Sequence, residues 1–159
     1  MKRSISILIA LFVLIPYLVF AAGSVTQQML VLGPERDKAR LIFTWIGDVS
    51  AGTVPTTETN TAITDELKKG WYAYLIVTNP GSPAPTDNYD VYLYDTDGVD
   101  VAGGMLVNRD TSNAEQIIPK LDTVNSLYGS RLVTTALSIA ISGTTATSAT
   151  GTVTIYMYR

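Results

Sequence analysis

The chain of 159 residues contains no cysteine and no histidine. Without cysteine the fold has neither disulfides nor thiolate ligands. Without histidine, Ser–His–Asp and Cys–His catalysis cannot be assembled within the chain. A zinc site of ordinary composition is also excluded, since it needs sulfur or imidazole donors. Charge is sparse: 11 basic and 14 acidic residues make up 16% of the sequence. No concentrated basic run exists, which argues against nucleic acid as a partner. The chain also lacks a G-x-S-x-G elbow, an S-x-x-K pair, a phosphate-binding loop and a dinucleotide fingerprint.

What is present begins with a leader, "MKRSISILIALFVLIPYLVFAAGS". Lys2 and Arg3 precede an apolar run from Ile7 to Phe20, and small residues follow at Ala21, Ala22 and Gly23. This is the three-part pattern of a secretory signal, and Val19-Phe20-Ala21 fits cleavage after Ala21. The competing reading is an uncleaved anchor over residues 5–22, because the apolar stretch approaches the about 18 residues that span a bilayer. Pro16 and the small residues at its end favour cleavage. Residues 1–21 are therefore read as signal peptide or anchor, and residues 22–159 as one domain with room for a single core. Loss of the leader leaves 9 basic against 14 acidic residues.

The mature part alternates apolar and polar residues with period two, the pattern of half-buried strands. "WYAYLIVTN" puts Trp71, Ala73, Leu75 and Val77 on one face and Tyr72, Tyr74, Ile76 and Thr78 on the other. "NYDVYLYD" separates Tyr89, Val91 and Leu93 from Asp90, Tyr92 and Tyr94. "GTVTIYMYR" separates Val153, Ile155 and Met157 from Thr152, Thr154, Tyr156 and Tyr158. Further strands are expected over 25–32, 39–48 and around Leu137, Ile139 and Ile141, the second of them central because it is apolar on both faces. "GTTATSATG" (143–151) is expected to be a hairpin loop. "AITDELKKG" predicts a short helix capped by Thr64, with Asp65 and Glu66 in its first turn and Gly70 at its end. "DTSNAEQIIP" admits another helical turn stopped by Pro119. The expected fold is all-β: an antiparallel β-sandwich, Ig-like or jelly-roll-like, of 7–8 strands with at most one or two short helices.

Five carboxylates crowd "DNYDVYLYDTDGVDVAGG". Asp95, Asp97 and Asp100 are a calcium candidate, since calcium takes six to eight oxygen ligands on a flexible loop. The simpler reading is a tight Asp97-Gly98 turn joining two arms of a hairpin. Paired carboxylates can also cleave glycosidic bonds, but no spacing among Asp90, Asp95, Asp97, Asp100 and Asp110 sets a pair across a cleft. No enzyme is expected and no catalytic residue is assigned. The six tyrosines Tyr72, Tyr74, Tyr92, Tyr94, Tyr156 and Tyr158 all fall on the second faces of their strands. If those strands share a sheet, they form an interaction surface, because tyrosine combines apolar area with a polar tip.

The segments "TNPGSPAPTDNYDVYLYDTDGVDVAGGMLVNRDTSNAEQIIP", "GSRLVTTALSIAISG" and "SATGTVTIYMYR" resemble a group of small, mostly uncharacterised bacteriophage proteins. The pattern runs from Pro85, Asp87 and Tyr89-Asp90-Val91 through Asp97-Gly98, Gly103-Gly104 and Asn108-Arg109 to Tyr158 and Arg159, covering residues 77–159. The resemblance implies a virion-associated product of the head or tail region and transfers no chemistry. An export signal departs from it, since virions assemble in the cytoplasm. The expectation is a non-enzymatic structural protein, exported or virion-borne, whose partners are itself and other structural proteins. The alternative is a secreted adhesion or carbohydrate-binding module stabilised by calcium, with no other cofactor expected.

Overall fold

The computed structural model describes residues 22–122 and 124–159. The expectations for the leader, cleaved or anchoring, lie outside them. Among the described residues, eleven strands and one helix follow in order: β1 (Ser24–Leu32), β2 (Lys38–Ile46), β3 (Thr57–Glu58), α1 (Thr61–Leu67), β4 (Trp71–Pro80), β5 (Asp90–Tyr94), β6 (Glu115–Ile117), β7 (Lys120–Asp122), β8 (Leu127–Tyr128), β9 (Arg131–Val133), β10 (Ser138–Ser142) and β11 (Thr150–Tyr158). No helix among the described residues is long and apolar enough to cross a membrane.

Six strands make the larger sheet in the order β1-β2-β11-β4-β6, with β9 pairing the other end of β4. Three make the smaller one, β3-β10-β5, and β7 pairs β8 by itself. Every pairing is antiparallel. The two curled sheets face each other as a sandwich, the all-β architecture that the alternation predicts. The strand count exceeds 7–8 because β3 and β6–β9 are two or three residues long, too short to show a period.

Alternation places the core. Leu41, Phe43 and Trp45 of β2, and Val153, Ile155 and Met157 of β11, are buried on the inner face of the larger sheet. Val91 and Leu93 of β5 and Ile139 and Ile141 of β10 come from the smaller one. Ile63 and Leu67 of α1 join the same cluster. Strand β2 is an inner strand of its sheet, as its two apolar faces predict.

Four local expectations are corrected. In β4 the alternation breaks: opposite β11, Tyr156 pairs with Leu75 and Met157 with Ala73, so Tyr74 is an extra residue in the ladder. This bulge turns both Tyr74 and Leu75 outward, and the buried set becomes Trp71, Ala73, Ile76 and Thr78. The helix starts earlier than expected. Asn60, in an extended conformation, accepts from the Ile63 N–H at 3.0 Å and is the N-cap, while the Thr64 hydroxyl sits inside α1 and bonds the Thr59 carbonyl. Asp65 and Glu66 consequently fall outside the first turn and pair with Lys68 and Lys69. Gly70, at φ 86°, ends the helix as expected.

"DTSNAEQIIP" holds no helical turn. The Asp110 carboxylate instead accepts from the Ser112 and Asn113 amides, and Glu115 enters β6. Residues 143–149 are not a hairpin loop either, because β10 and β11 lie in different sheets. That segment passes from the smaller sheet to the larger one, held by Thr86 Oγ1, which accepts from the Thr145 and Ala146 amides at 2.8 and 3.0 Å. Ala149 is fully buried and accepts from the Gly47 amide.

Candidate functional surface

The bulge in β4 decides what the larger sheet shows to solvent. Register sets Tyr158 opposite Tyr72, and the two rings stack with centroids 5.4 Å apart and planes at 18°. Because Tyr74 is the extra residue, its ring reaches both Tyr156 (6.4 Å) and Tyr158 (5.9 Å). Four tyrosines therefore form one cross-strand cluster on the outer face. Leu132 of β9, directly opposite Tyr72, extends it and is 51% exposed. Cationic side chains border the cluster: Lys38 pairs with Tyr158 and Arg40 with Tyr156 across the β2–β11 ladder.

The other two tyrosines lie elsewhere. Tyr92 and Tyr94 belong to β5, in the smaller sheet, where their rings stack at 5.7 Å and 5°. The six tyrosines expected to share a surface thus divide four and two between opposite layers. The smaller group sits among carboxylates, and the phenol of Tyr92 is pushed up, first by the charge of Asp90. One outer face is aromatic with cations at its border; the other is aromatic with acids.

Among the aspartates of 87–110, the carboxylates of Asp90, Asp95, Asp100 and Asp110 accept from backbone amides. Asp95 Oδ1 accepts from the amides of Asp97 (3.0 Å) and Val99 (2.8 Å), and Gly98 at φ 77° completes the turn. Asp100 bonds Leu93 and Ala102 through Oδ1 and Gly104 through Oδ2. Asp90 accepts from the Asn108 amide at 2.9 Å. The returning arm of the hairpin is shorter than expected, a single bridge between Tyr94 and Asp100 followed by turns. Among the described residues, no group of three or more acidic side chains is arranged to hold a metal.

Other surface aspartates act as turn acceptors in the same way. The amides of Ala51 and Ser50 and the Ser50 hydroxyl hold the Asp48 carboxyl below the usual carboxylate range. The Ser112 amide, then Asn113, does so for Asp110, and the Asn125 side chain, then the Val124 amide, for Asp122.

One ionisable group is deep in the core. Tyr89 is 1% exposed and its ring lies 5.8 Å from that of Trp45. Burial pushes its phenol up to about 12, with Arg109 opposing and Glu115 and Asp110 adding to the rise. The folded value exceeds the unfolded one, so its contribution to stability is complete below pH 10 and is lost as pH rises from 10 towards 12. Urea midpoints should fall across that window by the equivalent of about 2 kcal/mol. Tyr89→Phe should flatten the fall; an unchanged slope in the variant contradicts the assignment.

Sequence reasoning misses two features of the surface. Arg159 lies over the Trp71 ring at 4.7 Å and reaches Glu66 at 3.3 Å, fastening the C-terminus to α1. A shallow depression of about 560 Å³ opens beside the tyrosine cluster, lined by Leu75, Met105, Gln116, Ile117, Ile118 and Tyr128. Leu75, turned outward by the bulge and opposite Tyr156, is in its wall, and no period in the sequence reveals it.

Searches of protein-family models, of curated proteins and of solved structures found no match to this chain.

Proposed function

We propose that the chain is a non-enzymatic structural protein, exported or virion-borne, that acts by self-association and by contact with other subunits of an assembly. The observation that carries this reading is the cross-strand cluster of Tyr72, Tyr74, Tyr156 and Tyr158. Tyr72, Tyr74 and Tyr158 remain 40%, 40% and 42% exposed within it. Aromatic residues are enriched in interface cores, and a cluster fixed on rigid strands loses little entropy when covered. In the hairpin below the smaller sheet, Asp95 and Asp100 accept from backbone amides and act as turn-forming groups.

The double variant Tyr72→Ser with Tyr158→Ser should raise the concentration for half-association at least about tenfold, as removal of an interface anchor does. Sedimentation velocity reads this directly. A native protein that stays monomeric at every concentration and binds no candidate particle contradicts the proposal.

A second reading, a secreted carbohydrate-binding or adhesion module, draws on the parallel rings of Tyr92 and Tyr94 beside Asp90. Affinity electrophoresis in soluble polysaccharides separates it from the first. Retardation that disappears with Tyr92→Ala and Tyr94→Ala favours the module.

A further inference from the structure

We propose that β1 is the edge through which two copies of this chain join, pairing antiparallel with the β1 of the second copy to continue the larger sheet. This rests on the self-association reading above but on a different part of the molecule. β1 is nine residues long, is paired along its whole length with β2, and has no register shift. Among the described residues, no main-chain hydrogen bond reaches it from anywhere except β2. In an antiparallel strand, alternate residues turn both N–H and C=O to the free side, so a row of donors and acceptors lies open.

Folded proteins normally blunt such an edge with a charge, a proline, a bulge or a covering loop. "SVTQQMLVL" carries none of the first three. The other edges are treated differently. β6 and β9 are three residues long and carry Glu115 and Arg131. The outer side of β5 is closed by the 101–109 segment, which bonds it at Val91 and Leu93 and bonds Tyr89 just before it.

The sequence of β1 suits its own reverse. A two-fold axis through Gln28 sets Val25 against Val31 and Gln27 against Met29 on the core side, and Ser24 against Leu32 and Thr26 against Leu30 outside. No charge meets a like charge. Gln27, the one polar residue on the inner side, is already satisfied within its own copy. Its Nε2 donates to the Glu58 carbonyl at 2.6 Å, and its Oε1 accepts from the Asn60 amide at 2.9 Å. Covering the edge therefore strands no polar side chain.

Val25, Met29 and Val31 pack against the core but are only partly buried. Beside them, a groove of about 400 Å³ runs between β1 and α1, its walls half apolar (Met29, Val31, Ala62 and Ile63) and half polar (Gln27, Gln28, Asn60 and Glu66). An incoming strand places its inner side chains in that groove. The seam extends roughly 30 Å, at about 3.4 Å per residue.

The test uses the protein as its producing cells leave it, with or without the leader. Because the chain has no cysteine, Gln28→Cys gives a single thiol, and in the two-fold register the two thiols face each other within disulfide reach. Mild oxidation should convert most of this variant to a covalent dimer. Thr44→Cys, exposed on the same face of β2, should give less than about a tenth as much, because β2 is not at the edge. Gln28→Lys sets two like charges opposite each other and should raise the dimer dissociation constant about tenfold. Equal cross-linking of the two cysteine variants, or sedimentation unaltered by Gln28→Lys, overturns the edge pairing. If that happens while Tyr72→Ser with Tyr158→Ser still weakens association, the tyrosine surface stands and only the edge inference fails.

Discussion

Ile76→Ala should destabilise the domain by about 2–5 kcal/mol, the range for removing a buried aliphatic side chain, while its neighbour Leu75→Ala should cost about 1 kcal/mol or less. Ile76 is fully buried on the inner face of β4. Leu75 stands on the outer face because Tyr74 bulges from the ladder with β11. A strictly alternating strand starting from buried Trp71 reverses the two costs. Urea unfolding with unchanged m-values therefore tests the bulge itself. It tests function as well, since the bulge puts Tyr74 within reach of both Tyr156 and Tyr158. If Leu75→Ala proves the costlier change, the tyrosine cluster is also misplaced.

Gly151→Ala should also destabilise the domain, by crowding the core rather than emptying it. Gly151 lies directly opposite Trp45 in the β2–β11 ladder, and the indole covers it. An added methyl would come within 2.6 Å of Trp45 Cζ2 and 2.7 Å of Cε2. Trp45 is fully buried and touches Tyr89, so the ring has no room to retreat. Overpacking of this kind costs about 1–3 kcal/mol, and more where a large ring must change rotamer. Near-UV circular dichroism should change along with the thermal midpoint, because the indole has to move. Trp45→Phe in the same chain shortens the ring and should recover part of the loss. A full-stability Gly151→Ala variant with an unchanged aromatic spectrum contradicts the packing described.

These two positions show where sequence reading succeeds and where it stops. The long strands are legible because burying one face of a pleated ribbon imposes period two, which β1, β2, β5, β10 and β11 carry throughout and β4 carries on either side of its bulge. A bulge is a single inserted residue whose reason lies in the partner strand, so "WYAYLIVTN" alone cannot reveal that Ile76 rather than Leu75 is buried. Gly151 reads as the end of a flexible loop; that it makes room for Trp45 depends on a pairing across more than a hundred residues. Layer assignment is equally non-local. Tyr92 and Tyr94 have the same outward parity as Tyr72 and Tyr158 but belong to the opposite sheet. The turn at Asp97-Gly98, by contrast, is local chemistry and its place is visible in the sequence, although the Asp95 amide bonds the Val99 carbonyl and closes a loop of three residues, 96–98, rather than two. Asn60 is a stronger cap than Thr64, but it lies before the segment whose composition signals a helix.

The most direct test of the central claim, that the protein works by covering its tyrosine-bearing outer face, is tyrosine nitration with peptide mapping across a dilution series. In concentrated, associated protein, Tyr72, Tyr74, Tyr156 and Tyr158 should be protected, and they should become reactive on dilution. Tyr89 should stay unreactive throughout because it is in the core. Nitration of the four outer tyrosines at the same rate at every concentration, in protein that sedimentation shows to be associated, would contradict the account.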